Sequence, residues 1–289
     1  MNKIIFLVLG LFFCPAIIFS QNPATLLNDS TASKKEYVQA TFKTSRIVIG
    51  PSIESPAAGD LLFTVSHHFG KISNGAYEFF GLTTSTIRLG LDYGITKRLS
   101  AGIGLSTFQK NLDGCIKYKI LSQSTGVNIM PVTVSYFGEI DGTMLKWEHP
   151  ERQNYFYSRI SYANLLLIAR KFSRTFSLQL SPSFIHYNLV ERKIDQNNVF
   201  AIGAGGRLKI TKRTSVNIEY HYLLPGQTAK DFNNSLSAGI DIETGGHVFQ
   251  LFFTNSQPLF NRGFIAETKG NLGKGDISFG FNINRIFTL

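Results

Sequence analysis

Histidines are the side chains of this 289-residue chain that are best suited to chemistry. His68 and His221 each fall on the polar face of a segment in which apolar and polar residues alternate. Two imidazoles at one level of a fold could bind a transition metal, because neutral imidazole is a common ligand for such ions. Their spacing matches no local ligand motif, so we predict polar interior histidines, with no metal and no other cofactor.

A hydrolase site is a second possibility raised by residue types. Ser183, His186 and Asn188 could supply a nucleophile, a base and an orienting group. A two-residue alternation places Ser183 and His186 on opposite faces of one strand, unless Pro182 introduces a bulge that turns the histidine. We therefore predict that the chain is not an enzyme, and we keep a hydrolase as the third functional alternative.

Charged residues on the same polar faces form the remaining candidates. Their carboxylates could pair for acid–base chemistry, but a network of paired charges lining a polar interior explains them better, because buried charges normally have partners. We expect the acidic members to face the basic members across this interior. The candidates are Arg88, Asp92, Lys117, Lys119, Arg207, Lys209, Glu219, His221, Asp241 and Glu243.

The segments that position these residues have the pattern of β-strands. In the last fourteen residues, Ile277, Phe279, Phe281 and Ile283 alternate with Ser, Gly and Asn. A soluble domain rarely ends on an exposed apolar strand, whereas a transmembrane β-barrel needs one to close its ring against lipid. Earlier segments repeat this alternation, and we expect the last strand to pair with Asp60 to Gly70.

The spacing of turns gives the architecture. Similar turn segments begin at Ile95, Phe172 and Ile210, which are 77 and 38 residues apart. A period of this length fits a strand, a tight turn, a second strand and a longer loop. The predicted long loops are Lys71 to Thr83, Glu139 to Tyr155 and Ser256 to Gly275. We predict an all-β, antiparallel up-and-down transmembrane β-barrel of about 12 strands, with short periplasmic turns and long extracellular loops.

The chain divides into three parts. Residues 1–20 have the pattern of a cleavable signal peptide, in which Lys3 precedes an apolar run. Residues 60–289 form the predicted barrel, and residues 21–59 remain as a periplasmic N-terminal segment or a plug. Within this remainder, Phe42 to Gly50 could be a further strand, a plug segment or a periplasmic tail.

The net charge of +10 has a simple interpretation in this architecture. Several basic residues lie in the tight turns, where they would face lipid headgroups. An exported protein does not normally meet nucleic acid, so we predict outer-membrane lipids and no nucleic acid as partners. Cys115 is the one cysteine left after signal cleavage, which excludes a disulfide within the mature chain.

Several motifs resemble an uncharacterised outer-membrane β-barrel family of Bacteroidota. They are Asp60 to Gly70, Ile168 to Ser173, Lys209 to Arg213, Gly245 to Asn255 and Gly280 to Leu289. The family usually has arginine where this chain has His68, so the chain departs from the family pattern there. The resemblance covers most of the mature chain and implies an outer-membrane location without an established activity. It also implies that Phe287 and Leu289 form a C-terminal signal read by the barrel-assembly machinery.

The leading functional hypothesis is a narrow or plugged pore for small solutes. Barrels of about eight strands are filled by side chains and those of about sixteen leave an aqueous channel, so this barrel lies between them. The inward excess of Arg and Lys favours anionic solutes. The alternative is a non-conducting binding or scaffold barrel that acts on an envelope partner through its loops or its N-terminal segment.

Overall fold

The computed structural model describes residues 34–190, 192–228 and 231–289, so the predicted signal peptide lies outside the described residues. Within this part of the chain, twelve antiparallel strands form one closed barrel in chain order. They are β1 (Asp60–Lys71), β2 (Ser85–Gly94), β3 (Leu99–Ser106), β4 (Asn111–Leu121), β5 (Thr133–Thr143), β6 (Ile160–Lys171), β7 (Phe176–Tyr187), β8 (Asn198–Lys209), β9 (Thr214–Leu223), β10 (Ser235–Thr244), β11 (His247–Thr254) and β12 (Ser278–Thr288).

The barrel closes where its last strand meets its first. β12 pairs with β1 from Thr288 opposite Asp60 to Ser278 opposite Lys71, with one irregularity next to Ser278. Closure leaves no free strand edge, so the backbone groups of the strands pair with each other at membrane depth. The predicted fold class, strand number and partner of the last strand are confirmed.

The barrel is apolar outside and polar inside. On the outer face, Ile103 is 61 % exposed and Phe253 is 52 % exposed, whereas the inward Asp113 and Glu219 are buried. In water this arrangement would be unfavourable, because apolar surface would be hydrated and charged groups would lose their hydration. It suits a barrel whose outer surface contacts hydrocarbon.

The two ends of the barrel carry different connections. At one end, called the turn end, lie residues 59 and 289 and the connections 95–98, 122–132, 172–175, 210–213 and 245–246. At the other, called the loop end, lie the connections 72–84, 107–110, 144–159, 188–197, 224–234 and 255–277. The predicted loop start at Glu139 is wrong, because the two-residue alternation of β5 continues to Thr143.

Helical segments of the described chain lie in the connections. The α-helix α1 spans Asn261–Ala266, and single 3-10 segments span Ile72–Asn74, Ala76–Gly81, Phe108–Lys110, Phe156–Arg159 and Leu272–Lys274. Among the described residues, no helix is long and apolar enough to cross a membrane. At the turn end, Glu36–Tyr37 pairs with Ser124–Thr125 in a two-residue ladder.

Strand β6 is apolar on both faces, so the alternation of residue types alone does not show which face points inward. Leu165 and Leu167 point inward and are almost fully buried, whereas Leu166 points outward and is 38 % exposed. The inward side chains belong to an apolar cluster that includes Ile47 and Phe264, residues of segments that enter the lumen. This part of the wall is apolar because the lumen is filled.

Candidate functional site

The charged candidates lie on the inner wall of the barrel, most of them deeply buried. They differ in how completely chain segments inside the lumen cover them. Arg88, Lys117, Arg207, Glu219, His221 and Asp241 are buried, and Asp92, Lys119, Lys209 and Glu243 are half-buried.

The expected pairing of these charges with one another across the lumen is wrong for most of them. Arg88 pairs with Asp113, which lies outside the candidate set, with 2.9 Å between Nε and Oδ1. Asp241 accepts hydrogen bonds from Ser215 and Gln250. Most of the other buried candidates contact chain segments inside the lumen, and these segments supply the partners that the expectation assigned to opposite strands.

The first of these segments is residues 41–56, here called the plug. The chain enters the lumen at the turn end, where Glu36–Tyr37 pairs with a turn, and returns to the same end, where the Gly59 N–H donates to the Gly94 carbonyl. Between these points Phe42, Ile47 and Ile53 are at most 2 % exposed. An irregular backbone at membrane depth is tolerated because the protein surrounds it.

The tip of the plug binds a buried carboxylate. Residues 45–52 form a tight loop, in which the N–H of Ile47 donates to the carbonyl of Gly50. The backbone N–H groups of the next three residues, Val48, Ile49 and Gly50, all donate to Glu219 Oε2, at 3.2, 3.1 and 3.1 Å. Successive N–H groups that converge in this way form a concave site for an anion. The wall of the barrel supplies that anion.

Side chains of the wall satisfy the carbonyl groups of the plug. Lys117 Nζ donates to the carbonyls of Ser52 and Glu54, at 2.9 and 2.6 Å. Arg207 donates to the carbonyls of Ala40 and Thr41, both at 3.2 Å. Further donors from the wall are Gln179 to Pro51, Gln250 to Ile47 and Asn282 to Val48, and Lys43 of the plug forms an ion pair with Glu243.

The second segment inside the lumen comes from the loop end. The connection 255–277 folds inward and carries α1, whose six residues are all buried. The Asn261 backbone N–H and side-chain amide both donate to Glu139, and Arg262 Nε donates to Asp141 Oδ1 at 2.9 Å. Arg262 also forms an ion pair with Glu267 of the same connection. This arrangement gives the inward carboxylates of β5 their partners.

The two inserted segments meet at His221. Its Nε2 lies 2.9 Å from Glu219 Oε1, the carboxylate that also holds the plug. Its ring lies edge-on to the Phe264 ring of α1, with 5.1 Å between the centroids. A displacement of α1 therefore acts on a residue that contacts the main anchor of the plug.

The second candidate histidine has different surroundings. His68 is fully buried on β1 and packs edge-on against Phe252, with 5.1 Å between the ring centroids. Three strands separate β1 from β9, which carries His221. Within the described residues, no group of three His, Cys, Asp or Glu side chains could hold a metal ion. The structure does not bring the two candidate imidazoles together.

The residues of the hydrolase hypothesis are also separated. β7 continues through Pro182 without a bulge, so Ser183 points into the lumen and His186 points outward. Ser183 Oγ donates to the Ser181 carbonyl, and His186 Nδ1 lies 2.7 Å from the Asn198 side chain. This geometry provides no nucleophile–base pair.

Cavities remain beside the inserted segments. A polar cavity of about 20 Å³ lies between the plug and the wall, and its lining includes Arg46, Asp92 and Glu139. A larger cavity of about 700 Å³, here called the vestibule, lies at the loop end. Arg262 and Glu267 belong to its lining, so the connection that bears α1 separates the vestibule from the plug.

Sequence reasoning offered Phe42 to Gly50 as a plug segment among three alternatives, and these residues lie in the lumen. It missed α1. The plug tip and α1 carry no motif, but the wall around them carries a signal. A Cβ on Gly205 would lie 2.5 Å from Ile47 Cδ1, so the glycine makes room for the plug. Together with inward Leu165 and Leu167, this gap in the wall indicates an occupied lumen.

The end of the chain lies on the outer surface. Phe287 and Leu289 are exposed at the turn end, 39 % and 78 % respectively, and Arg285 lies beside the Phe287 ring. Aromatic and basic side chains at this position suit the boundary between hydrocarbon and headgroups. A role of Phe287 and Leu289 in assembly remains a prediction.

The chain is similar to solved structures of a channel and of a porin. The chain is similar to an outer membrane channel from Pseudomonas putida F1, with a TM-score of 0.50 and 12 % identity over 81 % of this chain and 97 % of that chain. It is also similar to the NanC porin, with a TM-score of 0.49 and 8 % identity over 79 % of this chain and 99 % of that chain. At such identities the likeness concerns the fold alone. No curated protein sequence matches the chain.

The family comparison covers almost the whole described chain. Residues 42–287 match the model of a family described as a membrane-bound β-barrel domain, DUF5777. The matched region begins within the plug and ends in β12. This protein therefore belongs to that family of membrane-bound β-barrels.

Proposed function

We propose that this protein is an outer-membrane channel for small solutes, which its N-terminal plug holds closed. The turn end would face the periplasm and the loop end the exterior. The observation that carries the proposal is topological. The plug enters and leaves at the turn end, and the connection with α1 enters and leaves at the loop end. Each segment can therefore withdraw without threading through the barrel.

The polar wall supports a lumen that the plug can leave, rather than one that the plug fills permanently. Lys117, Arg207, Gln250 and Asn282 hold the plug through its backbone carbonyls, and water could replace these bonds if the plug left. The lumen of an open channel must be polar. Most of the circumference of this wall would present polar side chains once the plug had left. The solved channel from Pseudomonas putida F1 provides an example of a comparable fold with that description.

The energetics predict a closed resting state. Phe42, Ile47, Val48, Ile49 and Ile53 are almost fully buried in the plug. Exposure of such side chains costs roughly 1.5–3 kcal/mol each. The plug would thus leave only when another interaction offsets this cost, such as a ligand or a partner at either end.

Conductance in planar bilayers tests the proposal. Glu219→Ala removes the acceptor of three buried N–H groups, and each unpaired group costs about 1–3 kcal/mol. We expect wild-type protein to be nearly silent and Glu219→Ala to give stepwise openings. The control is Asp241→Asn, which changes a buried wall carboxylate that accepts no bond from the plug backbone and leaves an amide oxygen to accept from Ser215 and Gln250. We expect this variant to stay nearly silent.

A non-conducting binding barrel is the second candidate, and the apolar cluster favours it. Plug, wall and α1 share one cluster that includes Ile47, Leu165 and Phe264, as in the core of a soluble domain. A permanently filled barrel would act through its ends. The absence of channel currents from Glu219→Ala, and from variants of the plug that still insert into the bilayer, would favour this candidate.

A further inference from the structure

The vestibule has the size and the walls of a ligand site. Its volume of about 700 Å³ lies within the range of small-molecule pockets, roughly 300–1,000 Å³. The connection that bears α1 contributes to its lining, together with loops from several other strand pairs. A solute that enters the barrel from the loop end would meet this cavity before the plug.

The charge of the lining favours an anion. Among the described residues, the lining holds six Lys and Arg side chains and three Asp and Glu side chains. Two of the lining cations already have carboxylate partners, since Arg262 binds Asp141 and Glu267, and Lys71 binds Asp276. The remaining cations of the lining are Lys146, Arg152, Arg159 and Lys269.

Arg152 pairs with Glu151 and Arg159 stacks on Trp147, so two lysines are the cations of the lining most free to bind a ligand. Lys146 and Lys269 are exposed, and neither forms an ion pair within the described part of the chain. They come from different connections, 144–159 and 255–277. Ammonium groups that line one cavity can bind the carboxylate of a ligand by charge-assisted hydrogen bonds.

A fixed aromatic ring lines the same cavity. Trp147 follows Lys146 in the chain, and the Arg159 guanidinium lies 3.3 Å from the centroid of its ring. Arg159 is itself held by the carbonyls of Leu145 and Thr143. The ring is therefore held in place before any ligand arrives, which lowers the entropic cost of binding. A flat apolar ring among polar groups suits a ligand with a ring-sized skeleton.

The polar groups of the lining complete the description of the ligand. Gln109, Asn154, Gln196 and Thr228 add neutral hydrogen-bonding groups to the lining. Such groups suit hydroxyls, and the lysines suit a carboxylate. We infer that the vestibule binds a carboxylated, hydroxyl-bearing organic solute of about monosaccharide size. This inference deepens the proposed channel function, because it names the class of solute at its outer opening.

The single tryptophan of the chain makes the site directly measurable. Trp147 lines the vestibule, so all tryptophan fluorescence of the folded protein reports on this cavity. The full-length protein in detergent would be titrated with glucuronate, with glucose as the neutral probe of the same skeleton. We expect a saturable change with glucuronate and at least a tenfold weaker response to glucose, which corresponds to about 1.4 kcal/mol.

Variants assign the response to the lysines. Lys146→Gln combined with Lys269→Gln should weaken glucuronate binding by about tenfold, because the carboxylate loses both cations. The matched control, Lys97→Gln with Lys212→Gln, removes two exposed charges at the turn end and should change nothing. An absent glucuronate response, an equal glucose response or unchanged binding in the vestibule variant would each overturn the inference. The fluorescence titration does not depend on conductance, so its failure can be distinguished from a failure of the channel proposal.

Discussion

Gly50 of the plug lies so close to Glu219 of the wall that no side chain fits between them. A Cβ on Gly50 would lie 2.0 Å from Glu219 Oε1 and 3.3 Å from His221 Nε2. The carboxylate cannot simply turn aside, because three N–H groups of the plug and the imidazole hold it. This contact is where the plug, the wall and, through His221, α1 are joined.

Gly50→Ala should loosen the plug without unfolding the barrel. The added methyl group forces Glu219 away from its partners, and overpacking of this kind costs about 1–3 kcal/mol. We expect more frequent openings in planar bilayers, while unboiled protein keeps its folded mobility on gels. Gly245→Ala is the control, because a Cβ at this turn position meets open space. Identical conductance of the two variants would contradict the role of the contact.

Carbodiimide should cross-link the plug to the wall. Lys43 and Glu243 form an ion pair, and the Glu243 side chain is 44 % exposed, so the reagent can reach it. The reagent activates the carboxylate, the lysine amine attacks it, and an amide forms with no spacer. We expect mass spectrometry to find the peptide pair that contains both residues. Glu243→Gln should lack it, and its persistence there would show that Lys43 lies elsewhere.

Two adjacent leucines of β6 should differ sharply in their contribution to stability. Leu165 is 1 % exposed in the lumen cluster, and Leu166 is 38 % exposed toward lipid. Leu165→Ala creates a cavity and should lower the free energy of unfolding by about 2–5 kcal/mol. Leu166→Ala leaves a gap that lipid can fill, so we expect a smaller loss. Urea unfolding in vesicles measures both, and equal losses would contradict a filled lumen.

The connection that bears α1 should loosen in acid. The Asn271 backbone N–H and the Lys71 ammonium hold the pKa of Asp276 below its ordinary value. A carboxyl whose pKa is depressed in the folded state contributes stability above its unfolded pKa, near 3.9, and loses it as the pH falls through the folded value. We expect protease cleavage within 255–277 to increase below about pH 4. Asp276→Asn should be susceptible at all pH values, and a wild type resistant throughout would refute this.

The sequence predicts the wall far better than the contents of the barrel. Strand parity depends on local alternation, so the partner of β12 and the inward position of Glu219 follow from a residue count. The plug depends on contacts such as Val48 with Glu219, 171 residues apart, and no local pattern specifies them. The plug carbonyls that accept from Lys117 and Arg207 are for the same reason not predictable, because they belong to irregular backbone.

The vestibule illustrates a second limit of the sequence. Lys146 and Lys269 come from loops 123 residues apart, and neither loop has a period that fixes its path. Trp147 is conspicuous as the single tryptophan, yet its position beside Arg159 depends on how the connection 144–159 folds. The sequence indicates long loops at this end, and the folded loops bring these residues to one cavity.

Single-channel conductance of Glu219→Ala, recorded before and after carbodiimide treatment, tests most directly whether the plug is a gate. Cross-linking Lys43 to Glu243 fastens the plug to the wall without filling any further space. We predict stepwise openings before treatment and their loss afterwards, with openings retained when the treated protein also carries Glu243→Gln. Openings of unchanged size and frequency in the cross-linked protein, or silence of Glu219→Ala before treatment, would contradict the account.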